Sequence, residues 1–203
     1  MTNRDERLKQ GAMRKDWRQE LVELHPEVFV RTYRSVSFAP GHPFTCGDGW
    51  REIVTRFVER LSTATSGYAV LITQIREAHG RLAIHWRAEA AVPTNIERAI
   101  EEAIALAQAR SACSCIDCGA TASLFSNGGR LHTACPDHAQ GVQVPVPPGM
   151  ENLHAVRKFV GDGSSIIECR RYDRLYDRFV DIDPNSAGVR SWHEILAHVS
   201  DPS

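Results

Sequence analysis

The sequence predicts an α+β fold, with helices packed on a small antiparallel sheet, a compact insert, and a C-terminal appendage. Three observations predict it. Trp50, Ile53, Val54, Phe57, Val58 and Leu61 fall on one helical stripe, which needs an apolar surface to bury against. Residues 68–77 and 81–88 are β-rich runs joined by Ala78, His79 and Gly80, and Leu82, Ile84 and Trp86 alternate as a half-buried strand requires. An Ala-rich helical run from Thr94 to about Arg110 then leads directly into a cluster of cysteines.

The other elements follow from local signals. Mixed charge with Trp17, Leu21 and Leu24 at helical spacing predicts a helix from Arg4 to Leu24, ended by His25 and Pro26. Pro40, Gly41 and Pro43 mark residues 31–45 as loop, with room for a short strand over 32–38. Asp48 reads as the N-cap of the Trp50 helix, and Thr94 with Glu97 as a capping box for the next. The proline-rich stretch 142–149 reads as an extended linker. Beyond it, Tyr172, Leu175, Tyr176 and Phe179 fit one face of a helix, with Arg170, Arg174 and Arg178 along another. Ser191 and Glu194 form a second capping box, opening a terminal helix to about Val199. These signals divide the chain into a core over 1–110, an insert over 111–141, a linker over 142–150 and an appendage over 151–203.

Composition narrows the function classes. Over 203 residues, 42% hydrophobic and 24% charged content is that of a folded chain rather than a disordered one. A net charge of -1 and a pI near 6.8 provide no global pull toward nucleic acid or anionic lipid. The charged N-terminus has no apolar segment behind it, and no apolar run reaches membrane-spanning length, so the expected location is cytoplasmic. Four of the six cysteines crowd between 113 and 135, which favours metal over a disulfide framework.

Cys115 and Cys118 form a Cys-x2-Cys half-site followed by Gly119, which eases a tight knuckle. Cys135 and His138 repeat the two-residue gap, and Asn127, Gly128 and Gly129 mark a hairpin turn between the halves. Thiolates and an imidazole in this pattern predict an inserted zinc ribbon holding one Zn2+. Four protein ligands leave the metal no open position, so its expected role is structural. Cys113 lies one residue before Cys115 in a Cys-x-Cys gap, too short for a good knuckle, and reads as a bystander.

The remaining candidates are weaker. His193 and His198 stand five apart, which puts their side chains about 140° apart on a helix, unlike the four-residue gap of a zinc protease. Gly47-Asp48-Gly49 and Gly161-Asp162-Gly163 lack the lysine and spacing of a phosphate loop and read as turns. Cys46 has no histidine that can be placed beside it and reads as a buried bystander.

Three blocks together resemble a family of small bacteriophage and prophage proteins. They are Cys46-Gly47-Asp48-Gly49-Trp50 opening a helix, Gln74 to Glu77 through Gly80 to Leu82 in a hairpin, and the Cys115, Cys118, Gly119 to Thr133, Cys135, His138 ribbon. The likeness covers roughly residues 20–140 and brings no catalytic residues with it. It implies an accessory protein in the cytoplasm of a bacterial host, binding a bacterial protein or protein complex, with inhibition of a defence system such as CRISPR-Cas among the roles it suggests. A nucleic-acid-binding ribbon is the alternative, against which stands Arg130 as the only formal cation between 113 and 138. An enzyme with a cleft built from scattered residues is the third reading. Because Tyr and Arg are enriched at interface hot spots, Arg170, Arg171, Tyr172, Arg174, Tyr176, Arg178 and Phe179 form the expected partner face. The competing reading has those aromatics packed inward and the arginines solvating the surface.

Overall fold

A computed structural model of the protein describes residues 16–33, 36–38, 43–160 and 164–181. The architecture is α+β, with helices against small sheets. Helices α1 (Trp17–Leu24) and α2 (Pro26–Phe29) precede a short antiparallel pair, β1 (Arg31–Tyr33) and β2 (Val36–Phe38). Strand β3 (Phe44–Thr45) leads through a 3-10 turn (Asp48–Trp50) into α3 (Arg51–Ala64). Strands β4 (Val70–Ala78) and β5 (Arg81–Ala88) form the predicted hairpin, and β3 extends it as a parallel edge beside β4. Helix α4 (Thr94–Ser111) follows.

The stripe on α3 explains the main core. Trp50, Ile53, Val54, Phe57, Val58 and Leu61 are all buried, against Val70, Ile72, Ile75 and Leu82 of the hairpin and Ile100, Ala103 and Ala107 of α4. The register of β4 against β5 shifts between Ile72 and Gln74. That extra residue changes the parity of the buried positions, so Val70 and Ile72 face inward before it and Ile75 after it. Helix α3 ends where Thr65 returns both its amide and its hydroxyl to the Leu61 carbonyl, each at 2.8 Å.

Helix α4 is buried on two sides. Ile100, Ala103, Ile104 and Ala107 face the main core, whereas Leu106 and Ala109 join Cys113, Val156, Tyr172 and Phe179 in a second cluster. Its many alanines permit close approach on both sides. The second cluster is made with a C-terminal sheet ordered β11-β10-β9, from β9 (Leu153–Phe159), β10 (Ser165–Asp173) and β11 (Arg178–Val180). In chain order, α4 is followed by β6 (Ser123–Asn127), β7 (Arg130–Ala134) and β8 (Val142–Gln143), the last pairing with β6, before this sheet begins.

Several local expectations are corrected. Residues 169–179 are not helical but form β10, a turn and β11, in register Tyr172 opposite Phe179 and Asp173 opposite Arg178. Asp48 does not cap α3; its carboxylate takes Trp17 Nε1 at 3.0 Å and Arg18 at 2.9 Å, tying α1 to the 3-10 turn. Thr94 is the first residue of α4 and makes no cap, because Pro93 occupies the N-cap position and offers its carbonyl to Ile96 and Glu97. The expected linker begins as strand, since Val142 and Gln143 belong to the ribbon sheet. The predicted helix segment before Asp16, the Gly161–Gly163 turn and the Ser191–Val199 helix with His193 and His198 lie outside the described residues. Among the described residues, no helix is long and apolar enough to cross a membrane.

Candidate metal centre

The ribbon folds as its sequence dictates. Gly128 and Gly129 both have positive φ, which lets β6 turn tightly into β7. The first knuckle closes with the Gly119 amide donating to the Cys115 carbonyl at 2.9 Å and the Cys115 amide to Ala120 at 2.8 Å. The second knuckle closes when the His138 amide donates to Cys135 at 3.1 Å. The Ile116 amide donates to Thr133 at 3.1 Å, which lays one knuckle against the strand that carries the other.

These bonds bring together the four residues the sequence singled out. The donor atoms of Cys115, Cys118, Cys135 and His138 lie within 4.8 Å of one another, an arrangement consistent with a metal site. Cys118 Sγ is 3.6 Å from Cys135 Sγ, and His138 Nδ1 is 3.2 Å from Cys135 Sγ and 3.7 Å from Cys115 Sγ. Cys115 and Cys135 are buried, whereas Cys118 and His138 reach the surface. Hydrogen bonding to His138 draws the Cys135 thiol down to about 7 against the desolvation that opposes it. Cys135 in return holds the His138 imidazole above its ordinary value. A metal must displace the proton that this pair shares.

Cys113 points away from the cluster, its thiol donating to the Ala109 and Arg110 carbonyls at 3.5 and 3.4 Å within the second core. Burial raises its thiol above the ordinary range. Cys46 is buried too, and desolvation pushes it up to about 11 despite the nearby Arg18. Neither carries the character of an activated nucleophile.

Sequence reasoning missed how the ribbon is held. The Gly49 amide donates to the Ile116 carbonyl at 2.9 Å, and Trp50 Nε1 donates to the Ser114 carbonyl at 2.7 Å. The first knuckle therefore lies backbone to backbone on residues 47–50. A Cβ at Gly47 would stand 2.7 Å from Ile116 Cγ1, and one at Gly49 2.6 Å from the Cys118 nitrogen. Two glycines flanking Asp48 were the available signal, but they read as a turn. A second attachment joins the β4–β5 hairpin tip to β7, where the buried Thr133 hydroxyl donates to the Gly80 carbonyl. Ser111 steadies the same hairpin, accepting from the Leu82 amide at 2.8 Å.

The expected partner face is divided by the structure. Tyr172 and Phe179 are buried in the second core, as the inward reading had it, because alternation along β10 and β11 turns them toward α4. Arg171 donates to the Gly149 and Glu151 carbonyls, Arg170 to the Phe179 carbonyl, and Arg174 to the Gly119 carbonyl. Tyr176 and Arg178 remain exposed and stack, the guanidinium 5.1 Å from the ring centroid, beside the exposed Leu175. Comparison with protein-family models, with curated proteins and with solved structures returns no match.

Proposed function

We propose that Cys115, Cys118, Cys135 and His138 bind one structural zinc ion, and that the protein is a non-enzymatic accessory protein acting on a macromolecular partner in a bacterial cell. The observation that carries the zinc reading is the convergence of three thiols and one imidazole. With Zn–S near 2.3 Å and Zn–N near 2.0–2.1 Å, a regular tetrahedron has S···S edges of about 3.8 Å and S···N edges of about 3.6 Å. The spacings of 3.6 Å between Cys118 and Cys135, and 3.7 Å between Cys115 and His138, fit those edges, whereas the 3.2 Å between Cys135 and His138 is shorter than the S···N edge. Soft thiolates with imidazole suit zinc over the hard, oxygen-seeking cations.

A complete protein shell gives the metal a holding role, and the glycine seat beneath the knuckle turns that hold into core stability. Binding is the function this arrangement supports. The 174–177 turn displays Leu175 and Tyr176, which are 82% and 66% exposed, and the resemblance read in the three sequence blocks suggests a partner in a bacterial host. Metal analysis of purified protein is the first test, with one zinc per chain expected. Cys118→Ser and Cys135→Ser should lose it, whereas Cys113→Ser should retain it; native protein without zinc sinks the metal reading. The binding reading is tested by capture from bacterial lysate, where a Leu175→Ser, Tyr176→Ser double variant should lose a partner that the parent protein retains.

A further inference from the structure

The six cysteines divide by what surrounds them. Cys46, Cys113 and Cys169 are buried outside the metal centre, and Cys115 and Cys135 are buried within it. Cys118 is the exposed one. Its Sγ lies 3.6 Å from Cys135 Sγ, across the gap between two knuckles whose cysteines are 17 residues apart in sequence. A disulfide bond is near 2.05 Å, so about 1.5 Å of approach would join the two sulfurs.

The first knuckle is fixed from below. The Gly49 amide on the Ile116 carbonyl and the Trp50 indole on the Ser114 carbonyl hold it to the core, and Gly119 stands backbone to backbone with Gly49. The second knuckle is closed by the His138 amide on the Cys135 carbonyl, and Pro136, Asp137 and His138 are exposed. Approach of the sulfurs therefore draws the second knuckle toward the first. An exposed thiol with a second thiol in contact is the arrangement of a redox-sensing cysteine and its resolving partner.

We propose that the centre is a redox switch, in which a peroxide joins Cys118 and Cys135 as a disulfide and the metal is released. This rests on the zinc reading above, because a bound cation holds both thiols as thiolates. The exposed Cys118 thiolate attacks the peroxide: an S–O bond forms, the O–O bond breaks, and hydroxide leaves to take a proton from solvent. The Cys135 thiolate then attacks Cys118 Sγ, forming the S–S bond and expelling a second hydroxide, which is protonated likewise. The two sulfurs lose two electrons, and the peroxide is reduced to two waters. Cys115 and His138 remain, two ligands where a closed site needs four. Metal-binding energy is folding energy at such a site, so the loss reaches the core through the seat at residues 47–50.

The test uses the full-length protein. Zinc content is measured first; hydrogen peroxide is then added in excess, released zinc is followed with a metallochromic dye, and the product is mapped by mass spectrometry. One disulfide per zinc released is expected, between Cys118 and Cys135, and a thiol reductant with added zinc should reverse both changes. The oxidised form should melt about 5 °C or more below the zinc form. Cys113→Ser should release zinc at the parental rate, because its thiol points into the second core. Parent protein without zinc overturns the metal reading and the switch together, whereas parent that keeps its zinc through peroxide overturns the switch alone. A disulfide mapped to Cys115 and Cys118, release slowed severalfold in Cys113→Ser, or an oxidised form that melts with the zinc form also overturns it.

Discussion

Gly49 and Gly119 meet backbone to backbone: a Cβ on Gly49 would lie 2.5 Å from the Gly119 nitrogen, and one on Gly119 would lie 2.7 Å from the Gly49 oxygen. Neither neighbour is a flexible side-chain end, so an added methyl must push the knuckle off the core. Gly49→Ala should therefore destabilise the protein by about 2–3 kcal/mol, the range for overpacking against a rigid wall. Chemical denaturation measures it, with Gly128→Ala as control, since nothing lies within 4 Å of a Cβ there and only its positive φ of 59° is strained. Equal losses in the two variants would falsify the seat described for the knuckle.

Trp50 is fully buried and its indole donates to the Ser114 carbonyl. Trp50→Phe keeps most of the apolar contact but leaves that carbonyl without its donor. The expected loss is about 1–3 kcal/mol for the unsatisfied group, with a smaller packing contribution. A melting temperature equal to that of the parent would mean that the bond does not hold the ribbon.

Phe179 and Tyr176 differ by three positions and have opposite surroundings, one within the second core and the other exposed. Phe179→Ala should lose about 3 kcal/mol or more through the cavity it opens beside Leu106 and Val156. Tyr176→Ala should stay within about 0.5 kcal/mol of the parent, as surface changes usually do. Similar stability in both variants would detach the C-terminal sheet from α4.

His154 provides a pH dependence. Burial, with a smaller contribution from Arg81, lowers its imidazole from 6.5 to about 4. The folded state thus disfavours the protonated ring that the unfolded chain accepts readily. Stability is complete above the unfolded value and falls as pH drops from about 6.5 toward 4, by on the order of 1–3 kcal/mol. Denaturation midpoints at pH 7 and pH 5 measure this, and His154→Gln should flatten the difference relative to the parent. An unchanged slope in His154→Gln would assign the acid sensitivity to other groups.

What the sequence disclosed and what it concealed divide along range of interaction. The four metal-ligand candidates were legible because each half-site is a local knuckle whose spacing is set by chemistry. The α3 stripe was legible because burial at i, i+3 and i+4 is periodic. The 169–179 segment misled for a related reason: Tyr172, Leu175, Tyr176 and Phe179 satisfy helical spacing while Tyr172 and Phe179 also sit opposite each other across a hairpin. The turn between them has no glycine or proline; Asp173 Oδ1 takes the Leu175 and Tyr176 amides instead, and Asp177 adopts a φ of 49°. Asp at both ends of a tight turn was the quieter signal. The glycine seat was not legible, since the partners of Gly47 and Gly49 are Cys115, Ile116, Cys118 and Gly119, far along the chain, and nothing local distinguishes close backbone approach from an ordinary turn.

The seat and its occupant also stand far apart in order of synthesis. Trp50 and Ser114 are separated by 64 residues, and Gly80 and Thr133 by 53. Chains emerge N-terminal end first, so the helix and hairpin that form the receptor exist before the second knuckle has left the ribosome. Closing such long loops is slow, because the entropy is lost before the contacts return it. The ribbon therefore reaches its seat late: a nascent chain carries an unfilled glycine groove until the first knuckle, with Ile116 and Gly119, has emerged.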